Sequence, residues 1–239
     1  MVFITAFFTG CVGSSISVIC GFGLGVFTMM FLPHFMSSTM ASSAVVSLTS
    51  VFQAAWICIR YRKKVRWKDM IFMAIGYLVL ATVCIIFGKN IPNGTLNTVL
   101  GVVLVLLSIY FIFFSSRLQI KAAPLTGLLT GSLGGIMSSL FGVGGPPASL
   151  YYSSAYDDKE VYLATIQTYF CITNAYATAL RIANGIITKE VLLASAASLA
   201  GMIIGTMAGK RIFDKMNPGA IRKAVYVLMA VSGIILIAG

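Results

Sequence analysis

Eight long apolar runs divide the chain, at about 2–32, 38–59, 70–88, 95–115, 124–150, 161–180, 190–209 and 220–238. Asp, Glu, Lys and Arg are absent before Arg60, and again across 70–88, 90–116, 122–156, 161–180, 191–208 and 224–239. A helix of about 20 apolar residues crosses roughly 30 Å of hydrocarbon. A charge at its centre costs at least about 2.5–3.5 kcal/mol, which confines charges to the gaps between runs. Period-two alternation is absent, which argues against a β-barrel. Helices remain as the spanning elements, because backbone polar groups must pair within lipid. The pattern therefore predicts an all-α integral membrane protein with eight hydrophobic segments. Segments one and five are longer than one crossing requires, and both are glycine-rich.

The pattern also repeats. At an offset of 121 positions, Thr9-Gly10-x-x-Gly13 meets Thr130-Gly131-x-x-Gly134, and Gly21-x-Gly23 meets Gly142-x-Gly144. Ser17 meets Ser138, Ser47 meets Thr168, Gln53 meets Asn174 and Arg60 meets Arg181. Lys68-Asp69 falls on Lys189-Glu190, and Gly88-Lys89 on Gly209-Lys210. Two homologous halves, 1–116 and 122–239, are thus joined by a connecting loop at 117–121. If segments one and five are re-entrant, one side of the membrane holds 14 of the 17 Lys and Arg residues and the other holds 3. The positive-inside rule favours this arrangement over eight full crossings. It makes the halves inverted repeats; the competing arrangement has segments one and five crossing fully with a central break.

Composition adds exclusions. The chain is 59% hydrophobic and 10% charged, with a net charge of +11. The basic residues flank apolar segments rather than forming an aromatic-interleaved patch, so lipid is the expected partner and nucleic acid is not. The first six residues lack a basic n-region, so no cleavable leader is expected. Five scattered cysteines, without a Cys-x-x-Cys or Cys/His cluster, read as small buried hydrophobes rather than metal ligands or disulfides. No paired carboxylates, nucleophile elbow, HExxH or phosphate-binding loop is present, so neither catalytic residues nor a cofactor are expected. All six acidic residues lie in or beside loops, which argues against a carboxylate proton relay inside the bilayer.

The candidate chemistry lies in two runs, Gly21-Phe22-Gly23-Leu24-Gly25 and Gly142-Val143-Gly144-Gly145-Pro146-Pro147. Such runs interrupt a helix and free N–H groups at the start of the next half-helix. With the helix dipole behind them, these donors hold an anion without a charged side chain. Close helix packing is the alternative use of the same glycines. Gly21, Gly23, Gly25, Gly142, Gly144 and Gly145 are therefore candidate binding residues. Ser47, Gln53, Thr168 and Asn174 join them as matched polar positions in segments two and six; interhelical hydrogen bonding is their other reading. Arg60 and Arg181 each end a helix, where a guanidinium draws an anion into a vestibule or snorkels to the headgroups. His34, the single histidine, is the candidate for a coupling proton. The Gly201-x-x-x-Gly205-x-x-x-Gly209 stripe reads as helix packing.

These motifs resemble the sulfite-exporter (TauE/SafE) family of membrane permeases. The resemblance is carried by Gly13, Gly21-Phe22-Gly23-Leu24-Gly25 and Pro33 in the first half. In the second half it is carried by Gly131, Gly134-Gly135, Gly142-Val143-Gly144-Gly145 and Pro146. The basic loop at 60–68 and the Gly88-Lys89 and Gly209-Lys210 ends also fit. The family's Ala-x-x-Thr-Ser signature is approximated by Ala44-Val45-Val46-Ser47, one residue shorter. The resemblance implies a secondary transporter of sulfite or an organosulfonate such as sulfoacetate, in a prokaryotic cytoplasmic membrane. The residues alone specify a carboxylate-poor, anion-friendly translocator of undefined oligomeric state. A non-transporting subunit that docks a soluble partner on the 60–68 loop is the alternative.

Overall fold

A computed structural model describes the backbone of residues 1–113, 123–213 and 218–238, and within these all side chains except those of 19, 20 and 208–225. The 117–121 loop, the surroundings of Gly209 and the basic side chains between 210 and 223 lie outside what is described. Among the described residues there are ten α-helices and no strand. These are α1 (Val2–Cys20), α2 (Leu24–Phe31), α3 (Thr39–Tyr61), α4 (Trp67–Gly88) and α5 (Asn93–Phe113). The second half contributes α6 (Pro124–Phe141), α7 (Gly145–Ala155), α8 (Lys159–Ala183), α9 (Lys189–Phe213) and α10 (Pro218–Ala238). Polar caps open α3 and α8. Ser38 accepts from the Ala41 N–H at 3.0 Å before α3, and Asp158 accepts from the Glu160 N–H at 2.8 Å before α8.

Four described stretches are long and apolar enough to cross a membrane, at Thr39–Lys64, Trp67–Gly88, Asn93–Phe113 and Lys189–Met207. α4 and α5 are the most apolar, yet only 33% of each spanning window is buried. Ile71, Phe72, Ile75, Val79 and Val83 of α4 point away from the protein. A surface this apolar is stable against lipid and not against water. The chain is an all-α, multi-pass membrane protein.

Without a hydrophobic drive between helices in lipid, their association relies on close packing and small residues. α1 lies along α9, where Gly201 and Gly205 admit the Phe7 and Cys11 carbonyls, and Ser15 Oγ donates to the Gly205 carbonyl at 2.8 Å. α6 lies along α4 in the same way, with Gly131 and Gly135 against the Met73 and Tyr77 carbonyls. Both pairs run parallel. α3 packs on α8 in the opposite sense: Cys58 meets Thr168, whereas Ser43 and Ser47 meet Arg181. α5 and α10 are also antiparallel, with Gly101 against Gly233 and Ser108 Oγ donating to the Tyr226 carbonyl at 2.6 Å.

Segments one and five are not single helices. α2 doubles back along α1, bringing Gly13 against Leu24 and the Phe8 and Phe27 rings to 6.3 Å. α7 doubles back along α6, with Gly144 against Ser138 and Gly127 beside Tyr151. Polar contacts then tie the loops into two groups. At one end Lys64 pairs with Glu160 and, at 3.8 Å, with Asp158, and Tyr156 donates to Asp69 at 2.5 Å. At the other end Ser37 donates to Glu190 at 2.7 Å, Asn93 donates to the Ser37 carbonyl at 3.1 Å, and Lys89 donates to Asn184 at 3.4 Å.

Candidate anion site between two hairpin tips

Each hairpin turns on glycine. α1 ends at Gly21, whose left-handed backbone (φ 79°) directs its N–H to the Ser17 carbonyl at 2.9 Å. α6 ends on Gly142 (φ 65°), whose N–H reaches the Ser138 carbonyl at 2.9 Å. Gly23, at φ 147°, opens α2 from a conformation that side chains with a Cβ rarely adopt. Neither α2 nor α7 has a side-chain cap on its N-terminus. The first-turn N–H groups of a helix have no partner within it. In α2 these belong to residues 23–26. In α7 only Gly144 and Gly145 qualify, because Pro146 and Pro147 have no N–H. The two tips are related but unequal donors.

The tips meet. The Gly142 carbonyl occupies the place a Gly25 Cβ would take, and a Cβ on Gly145 would lie 2.7 Å from Phe22 Cβ. Between the tips is a cavity of about 50 Å³. Residues 22–26 and 142–145 form two of its walls; Ser17 of α1, Ser50 and Gln53 of α3, Tyr77 of α4, Ser138 of α6, and Gln167 and Asn174 of α8 complete the polar lining. Gln167 donates to the Gly21 carbonyl at 3.1 Å and Gln53 to the Ser14 carbonyl at 3.2 Å, so both amides brace the α1–α2 hairpin. Tyr77 Oη donates to Ser138 Oγ at 3.0 Å, bracing the other hairpin. No carboxylate among the described residues lines the cavity. Among the described residues no cluster of three or more His, Cys, Asp or Glu side chains could hold a metal ion.

Of the residues expected from the sequence, Gly23, Gly25, Gln53, Gly142, Gly144, Gly145 and Asn174 line this cavity. Gly21 contributes its carbonyl to the bracing instead. Ser47 is turned to Arg181, and Thr168 donates to the Ala164 carbonyl at 2.7 Å and to Cys58 Sγ at 3.2 Å. His34 is exposed on the 3₁₀ turn Leu32–His34 and does not reach the cavity. Tyr77 and Phe170 line it unforeseen. Tyr77 comes from α4, whose apolar run carries no sign of contact with a glycine tip.

The matched arginines diverge: Arg60 stays at an exposed helix end, whereas Arg181, expected at a vestibule or among the headgroups, faces neither. Arg60 is exposed, its guanidinium 6.0 Å from the Tyr61 ring. Arg181 is fully buried. It donates to Ser47 Oγ, to Ser43 Oγ at 3.1 Å, and to the Ser138 and Ser139 carbonyls at 3.3 and 2.7 Å. Those carbonyls belong to the last turn of α6, the negative end of its dipole. Neutral acceptors and a helix end, rather than a carboxylate, compensate the buried cation. Ser138 also lines the cavity, so a fixed positive charge lies directly behind its wall and favours a negative occupant.

A protein-family model described as sulfite exporter TauE/SafE matches residues 6–236. The chain is 24% identical over 226 residues to a probable sulfite/organosulfonate exporter TauE from Cupriavidus necator, covering 90% of this chain and 85% of that protein. No solved structure matches it. With the family match running through both hairpins and nearly to the end of α10, the chain belongs to the sulfite exporter TauE/SafE family of transporters.

Proposed function

We propose that the chain is a secondary transporter that carries sulfite, in preference to larger organosulfonates, across a prokaryotic cytoplasmic membrane. The observation that carries this reading is the meeting of two uncapped half-helix N-termini at one carboxylate-free cavity, with Arg181 behind its wall. Size argues for the smaller substrate. The cavity between the tips is small, about 50 Å³. Sulfite has four heavy atoms and sulfoacetate has eight.

In the same reading the halves are inverted repeats and the hairpins are re-entrant. The antiparallel pairing of α3 with α8 supports this, because these helices correspond in the duplication and would run parallel if the halves shared an orientation. The loop grouping agrees: 62–69 gathers with 156–160, Lys89 with Asn184, and Ser37 with Glu190. Inverted repeats provide alternating access by rocking one set of elements against another around a central site. Because sulfite and hydrogensulfite interconvert near neutral pH, a coupling proton travels on the substrate and needs no buried carboxylate.

The test is flux into liposomes holding the purified chain, with sulfite, sulfoacetate, taurine and thiosulfate supplied in turn. Saturable sulfite flux, with slower sulfoacetate flux, is expected. Absence of both flux and binding for all four compounds defeats the reading.

A further inference from the structure

We infer that Arg181 and Arg60 are a pair of alternating latches, each closing one end of the transport path in one of its two conformations; the inference rests on the transport reading above. Arg181 is the latch now engaged. Its guanidinium joins three elements, from α8 across to Ser43 and Ser47 of α3 and to the C-terminal carbonyls of α6. It thereby seals the hairpin α6–α7 against α3 on the Arg181 side of the cavity. At the other end Arg60 is exposed against the ring of its own neighbour Tyr61 and makes no such bridge among the described residues.

The duplication supplies the second latch. Shifted by 121 positions, the acceptors Ser47, Ser138 and Ser139 correspond to Thr168, Ser17 and Val18. The two α6 acceptors are main-chain carbonyls, so the change from Ser139 to Val18 costs nothing. The receptor for Arg60 is therefore already built. Thr168 keeps the hydroxyl, and the Ser17 carbonyl sits in the same Gly-terminated turn as Ser138, each accepting a glycine N–H at 2.9 Å. Thr168 already touches Cys58, two residues from Arg60, at 3.2 Å. Ser43 corresponds to Ala164, so the Arg60 latch has one acceptor fewer and is the weaker of the two. Two conformations of inverted halves exchange the environments of matched residues. In the opposite state Arg60 is buried on Thr168 and the α1 carbonyls, and Arg181 is released. The unequal acceptor sets favour the state in which Arg181 is engaged.

Sided labelling tests this. Ser50→Cys, in the full-length chain with its native cysteines replaced by alanine, places a thiol in the cavity wall. A membrane-impermeant maleimide is then applied to either face. Arg181→Ala removes all four of the Arg181 hydrogen bonds and is expected to raise labelling from the Arg181 face by at least about tenfold, the effect of losing a single charge-assisted hydrogen bond. Arg60→Ala is expected to shift labelling the other way, although Arg60 is an exposed residue whose removal leaves packing intact. The double variant returns the ratio toward that of the parent, which no purely structural role predicts. Should Arg181→Ala fail to fold, Ser43→Ala with Ser47→Ala keeps the arginine and shifts labelling in the same direction. Shifts of the same sign in both arginine variants, or an unchanged ratio in Arg60→Ala, overturn the latch. A chain that carries sulfite without these shifts loses only the latch; a chain that shows the shifts but carries no sulfite loses only the substrate reading.

Discussion

Gly25→Ala isolates the contact between the hairpin tips. Gly25 sits in the first turn of α2 with an ordinary helical φ, so alanine meets no backbone strain there. By propensity alone alanine favours the helix, by up to about 1 kcal/mol. The new Cβ, however, lands on the Gly142 carbonyl oxygen and lies 3.1 Å from Val46 Cγ1. A main-chain oxygen cannot rotate away as a side chain can. Restoring van der Waals spacing therefore requires the tips to part by roughly 1 Å. Overpacking of this kind costs about 1–3 kcal/mol, so the net destabilisation is on the order of 1–2 kcal/mol and the protein still folds. Transport suffers more, since displacing anion donors by about 1 Å costs on the order of 100-fold in function. Gly94→Ala is the control, because nothing lies within 4 Å of that Cβ position. Initial sulfite flux in proteoliposomes, normalised to folded protein, measures the effect. Flux in Gly25→Ala equal to that of Gly94→Ala refutes the claim that apposed tips form the site.

Gln167→Leu removes the amide that braces the Gly21 carbonyl, a buried bond worth about 1 kcal/mol, and is expected to lower sulfite affinity with little change in yield; unchanged affinity in a binding titration counts against bracing. Cysteines placed at 62 and 159 should react with an impermeant label from one face of the membrane and those at 89 and 189 from the other; labelling of 62 and 159 from opposite faces rules out the inverted arrangement. Asp158 has its carboxyl held below the usual range by the Glu160 and Val161 N–H groups and by Lys64. A depressed pKa contributes stability that is present above the ordinary carboxylate range and lost as pH falls through the folded value. Asp158→Ala should therefore lower Tm at neutral pH, with the difference shrinking in acid; a constant difference across that range argues against the charged cap.

Much of the architecture was visible in the chain because lipid imposes simple rules. Charges are expelled to the loops, so the apolar runs could be delimited, and Gly21, Gly23 and Gly142 mark the turns after α1 and α6 because glycine suits their positive φ. The exchange of partners, α1 with α9 and α6 with α4, was not visible: the glycines on those seams announce close packing but not with whom. Arg181 was misjudged for a related reason. A guanidinium ending a long helix, with no carboxylate in reach, has the appearance of a surface anchor. Its acceptors are two serine hydroxyls of α3 and the spare carbonyls of α6, and main-chain carbonyls leave no mark in a sequence. Tyr77 was overlooked because its run is uniformly apolar and its hydroxyl finds Ser138 only once α4 lies beside α6.

The most direct measurement is to locate the anion itself. Selenite, the heavier congener of sulfite, can be soaked into crystals of the protein and found by anomalous scattering. The account predicts one peak between residues 23–26 and 142–145, within hydrogen-bonding distance of main-chain N–H groups from both tips. Selenite bound elsewhere, with the space between the tips holding only water, contradicts it.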